Sequence, residues 1–174
     1  MSAKSIAPRL AALTLAAAQC FVGSASACKT RVYPENFPLK ELTLMRITPK
    51  LQAAFYSWVD KALTGPIPKG TVAFHFNLYE GKRSFHIQLI GSEQFSRDDP
   101  DWPCHETLTT GEDIFELPHS VVGTAWEDCL ELAKAAVVEY LGAGGKASVL
   151  RASKGVGVGF VDGDVEVVWE ASAA

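Results

Sequence analysis

The sequence predicts one α+β domain, an antiparallel sheet built from two β-hairpins with two helices packed on one face. Three observations predict it. Two segments place apolar residues at every second position around a turn, and two others place them at helical spacing. The third is their order, which runs helix, hairpin, irregular acidic stretch, helix, hairpin. With 48% of 174 residues hydrophobic and 21% charged, the chain holds enough apolar material for one core. That domain is expected over residues 42–174.

Before it come two segments of different character. Residues 1–27 have the layout of a signal peptide: Lys4 and Arg9, an apolar run from Leu10 to Val22, then small residues ending in Ala25-Ser26-Ala27. The apolar run is shorter than a membrane span. Export to the periplasm or envelope is the expectation, and a cytoplasmic protein starting near Met45 is the alternative. Cleavage would leave Cys28 first, a position acylated in bacterial lipoproteins, although Ala25 stands where those signals usually carry Leu. Residues 28–41, with two prolines and no periodicity, read as a tether.

In the domain itself, Thr48 caps a helix with Pro49 at its first position, and Leu51, Phe55, Trp58, Val59 and Ala62 make its apolar face. Gly65-Pro66 ends it. Strand alternation follows in Val72, Phe74, Phe76 and Leu78, and returns in Phe85, Ile87 and Leu89. A turn at Glu80-Gly81 would set Phe76 opposite Phe85 and His75 opposite His86. Residues 93–119 read as loop, with a short strand at "DIFEL". Thr124 and Glu127 form a capping box for the second helix. Its expected apolar face is Trp126, Cys129, Leu130, Ala133, Val137, Tyr140 and Leu141, and Gly142, Gly144 and Gly145 end it. A closing hairpin turns at Asp162-Gly163, pairing Val158 with Val167 and Val156 with Trp169. Gly157 and Gly159 leave its other face open to a helix or another backbone.

Charge is divided unevenly along the chain. Residues 1–92 hold 11 Lys/Arg and 4 Asp/Glu, whereas residues 93–174 hold 5 and 16. The acidic half would repel nucleic acid, and the asymmetry fits a surface that meets a charged partner. The acids gather in residues 93–116: Glu93, Asp98, Asp99, Asp101, Glu106, Glu112, Asp113 and Glu116, against Arg97 alone. Glu127, Asp128 and Glu131 of the second helix extend this face. Trp102, between Asp101 and Pro103, is the aromatic suited to anchor an interface, unless it folds inward to pin the loop.

Other chemistry has thinner support. His75 and His86, on one face of a hairpin, could share a metal in a metal-binding or hydrolytic enzyme. The spacings that would recruit Cys104, His105, Glu106 or His119 as further ligands are missing, which favours a polar, partly solvated sheet face. The glycines of "GVGVGF" sit inside a strand and not before a helix, so they do not make a phosphate loop. Cys104 and Cys129 are the pair available for a disulfide in an oxidising compartment, worth about 3 kcal/mol. Two buried thiols are the alternative.

The pieces "FHFNLYE", "DPDWPCHE" and "GVGVGFVDGDVEVVW" resemble small uncharacterised bacterial proteins, some of which are similar to immunity proteins that neutralise secreted antibacterial toxins. The resemblance implies a binding protein without enzymatic activity or cofactor. The functional expectation is therefore an inhibitor or immunity-like module docking an acidic surface onto a basic protein partner, such as a toxin. The alternatives are the His75/His86 enzyme and a structural envelope lipoprotein held at the membrane through Cys28.

Overall fold

The computed structural model describes residues 48–172. The expected signal peptide, tether, Cys28 and Met45 lie outside them. Helix α1 (Pro49–Ala62) starts as its sequence requires, with the Thr48 hydroxyl accepting from the Leu51 N–H at 3.3 Å. Strands β1 (Ala73–Glu80) and β2 (Ser84–Ser92) form the first hairpin. Strands β3 (Glu106–Thr109) and β4 (Phe115–Pro118) follow, then a single helical turn, α2 (His119–Val122). Helices α3 (Trp126–Ala143) and α4 (Ala147–Arg151) lead to the second hairpin, β5 (Gly155–Phe160) and β6 (Glu166–Glu170).

The fold is α+β, with one six-stranded sheet and helices on one face, but the sheet is mixed. Strand order is β3-β2-β1-β5-β6, and β4 lies beside β3 along the same edge of β2. The two hairpins join through β1 and β5, which run parallel, Phe74 pairing with Val156 and Phe76 with Val158. This corrects the purely antiparallel expectation. Helices α3 and α4 carry the chain back across the sheet between the hairpins, and such a crossover delivers a strand parallel to its neighbour.

Register departs from expectation in both hairpins. In the first, Lys82 and Arg83 form the tip and Phe76 pairs with Leu89, Tyr79 with His86 and His75 with Ile90. Moving the turn outward by two residues adds pairs to the ladder and leaves two cations in water. Because the shift along β2 is an even number of residues, no side chain changes face. In the second hairpin Val156 pairs with Trp169 as expected. A bulge then sets Val158 opposite Glu166 and not Val167.

Phe74, Phe76, Leu78, Phe85, Ile87 and Leu89 form the floor of the core, covered by Phe55 and Val59 of α1 and by Ala133, Val137 and Tyr140 of α3. The Tyr140 hydroxyl donates to Asp60 at 2.5 Å, tying the two helices together. Helix α3 begins one residue later than the capping box implied, with Ala125 at the cap and no side-chain cap bond. Glu127 and Asp128 in its first turn supply the favourable negative charge there instead. Lys134 is buried on α3, and its ammonium bonds Glu131 at 2.8 Å and Glu166 of β6 at 2.5 Å. Burial disfavours that charge, but the two carboxylates outweigh it and raise the pKa. Among the described residues no helix is long and apolar enough to cross a membrane.

Candidate functional site

The opposite face of the sheet is closed by a loop. Leaving β2, the chain bends where the buried Ser92 hydroxyl donates to the Trp102 carbonyl at 2.6 Å and accepts from the Gln94 N–H at 3.1 Å. Phe95 lies over Gly155, and the Arg97 guanidinium reaches Glu170 of β6 at 2.8 Å. The loop then returns, laying Trp102 over His75 and Gly157. Phe95, Trp102 and His75 stack edge to face, with ring centroids 5.5 and 5.8 Å apart.

Glycine makes this possible. A Cβ on Gly157 would sit 2.7 Å from Val165 and 2.9 Å from the Trp102 ring. At Gly159 the obstacle would be the Asp164 carbonyl oxygen at 2.5 Å, a close approach by backbone. The open face expected of β5 is therefore filled by two aromatic rings and the hairpin's own return.

Between the loop and the β5–β6 turn lies a cleft of about 510 Å³. One wall carries Asp101, Cys104 and Glu106; the other runs from Phe160 through Asp162 and Asp164 to Val165. His75, Asn77 and Ile90 belong to the strands beneath. Asp101, Glu106, Asp162 and Asp164 form no ion pair with any described residue. His75 is 3% exposed and its Nδ1 has no hydrogen-bond partner. Burial pushes its pKa down to about 4, an effect the Gly157 backbone only partly offsets, so the ring is neutral near pH 7.

The structure divides the acidic set read from the sequence. Asp101 and Glu106 line the cleft, and Asp98 and Asp99 lie on the adjoining loop, where Asp99 accepts from the Asp101 N–H at 3.0 Å. Glu112 and Asp113 sit in the β3–β4 turn, and Asp113 pairs with Lys61 of α1 at 2.8 Å. Glu116 pairs across strands with His86 at the far end of the first hairpin. Glu127, Asp128 and Glu131 are on α3, with the helices.

Three other expectations are corrected. Trp102 is 1% exposed, so it pins the loop and cannot anchor a partner. The exposed tryptophan is Trp126, at 50%, which meets Phe160 edge to face at 6.2 Å on the helical side. Cys104 and Cys129 are both free. Cys129 is buried in the core under the helices and Cys104 is exposed on the loop side, so the sheet separates them. Burial raises the Cys129 thiol to about 12.

His75 and His86 share a face but stand four residues apart along the ladder, about 13 Å. His86 instead accompanies Tyr79 at 5.0 Å and Ser84 at 3.0 Å, so the pair forms no common site. His75 is also buried under Trp102, not on a partly solvated face. Among the described residues no group of three His, Cys, Asp or Glu is arranged to hold a metal ion.

Asp162 was legible only as a turn residue, and Asp164 was not singled out. Their one sequence signal was a pair of acids flanking the turn glycine at the end of a strand whose other face is glycine. No family model, curated protein or solved structure matches the chain.

Proposed function

We propose that this protein is a non-enzymatic binding module of the immunity or inhibitor type, which docks its acidic cleft onto a basic protein partner. The observation carrying the reading is the set of four cleft carboxylates, Asp101, Glu106, Asp162 and Asp164, none engaged by a cation of the described chain. Free carboxylates concentrated in a concave site attract cationic surfaces and speed encounter.

The rim adds apolar area. Val161, 62% exposed, lines it beside Asp162. The loop wall is held by Ser92 and by the Arg97–Glu170 pair, so the site is formed before a partner arrives.

Hydrogen exchange of the full chain, alone and bound to a basic protein that co-purifies with it or is encoded beside it, tests the reading. Protection is expected over residues 100–106 and 160–165. Protection confined to the helical face would refute it.

A further inference from the structure

The cleft has a buried base at its floor as well as acids at its walls. The walls come from separate parts of the chain, Asp101 and Glu106 on the loop and β3, Asp162 and Asp164 on the β5–β6 turn. His75 lies on β1 beneath them, almost wholly buried, with Nδ1 close to the Gly157 backbone but without a well-formed hydrogen bond. A buried polar group without a partner is costly, and native proteins rarely keep one without a use.

We propose that the cleft is a receptacle for one arginine side chain of the partner, its guanidinium held between the two acidic walls, beside the part of His75 that Trp102 leaves facing the cleft. The inference rests on the binding function just given and names the chemistry of the same site.

Several features select this ligand. The carboxylates belong to opposing walls and do not converge in the manner of a metal site. They suit a cation whose charge and donors are spread over a plane, and a guanidinium offers five N–H donors against three on a compact ammonium. At neutral pH the uncharged imidazole does not repel the incoming cation. Ile90 and Val165 give apolar surface along which the methylene stem can lie. A volume of about 510 Å³ falls within the range of about 300–1,000 Å³ usual for specific ligand sites. The lining contains no lysine or arginine to compete.

The test is an NMR titration of the nitrogen-15-labelled full chain with N-acetyl-arginine methylamide, its neutral citrulline counterpart and the lysine analogue. The arginine probe is expected to shift the His75 ring nitrogens and the amides of residues 162–164 along a saturable curve. Citrulline should leave them unmoved. Asp101→Asn and Asp164→Asn should each weaken the arginine response about three- to fivefold, the scale of one accessible charge contact. Both positions are exposed, so these variants should keep the fold.

A silent His75 ring with the arginine probe overturns the receptacle. So does an equal response to citrulline, and a lysine response matching arginine overturns the guanidinium preference. If the partner still protects residues 100–106 and 160–165 while His75 stays silent, the receptacle fails and the docking function stands. If that protection is also absent, both fail.

Discussion

On one face of the sheet, Phe74, Phe76 and Leu78 lie beneath α1 and α3; on the other, Ala73, His75 and Asn77 of the same strand lie beside the glycines of β5 and beneath a loop. The first face is a layer of apolar side chains against helices of matching periodicity. The second combines glycines, three stacked aromatic rings and unpaired carboxylates around a cleft. A single strand thus contributes to a core with one set of residues and to a candidate binding site with the alternate set. The difference teaches that the helical side supplies cohesion, whereas the loop side trades some of it for a recess of like charges and a buried base.

Deleting one large ring on each side puts this comparison under the greatest strain. Phe76→Ala removes a ring from the helical core, and Trp102→Ala removes the ring that roofs His75. Each is expected to cost about 3–5 kcal/mol in denaturant unfolding, because both rings are fully enclosed. A loss below about 1 kcal/mol for Trp102→Ala would show that the loop rests on the sheet without being part of the fold.

Acid sharpens the comparison next. His75 is held at about 4, below its ordinary 6.5, so the unfolded chain takes up its proton more readily than the folded one. Its contribution is complete above pH 6.5 and is lost as the pH falls toward about 4, a drop of about 3 kcal/mol. Stability measured across that window should fall, and His75→Gln should flatten the slope. An unchanged slope in the variant would assign the acid sensitivity elsewhere and leave His75 without its buried, neutral state.

Legibility in the sequence followed the same division. Helix α1, with its Thr48 cap, and the apolar faces of both hairpins were readable because side chains repeating at 3.6 or 2 residues reveal a buried side locally. The parallel pairing of β1 with β5 joins segments about eighty residues apart, and no local pattern announces it. Trp126 and Trp102 exchanged roles for a related reason. Helical spacing assigned Trp126 to the core, but it stands in the first turn of α3, beyond the packed part of the helix. For Trp102, among acids and prolines, the sequence left open an interface anchor or an inward ring, and Gly157 opens a seat for the inward one that only the folded sheet brings near. Asp101 and Glu106 were noticed as acids, Asp162 as a turn residue and Asp164 not at all, because only the tertiary fold sets the two walls face to face.

The smallest change in stability should accompany the largest change in binding. Neutralising Asp101, Glu106, Asp162 and Asp164 together to Asn or Gln should alter stability by no more than about 1 kcal/mol, since none pairs with a cation among the described residues. The most direct test of the acidic docking site is the affinity of that variant and of the natural chain for the basic partner, measured from low to high salt. The natural chain should bind at least about tenfold more tightly at low salt and lose affinity steeply as salt rises, with a much flatter response in the variant. Equal affinities and equal salt slopes would contradict the account.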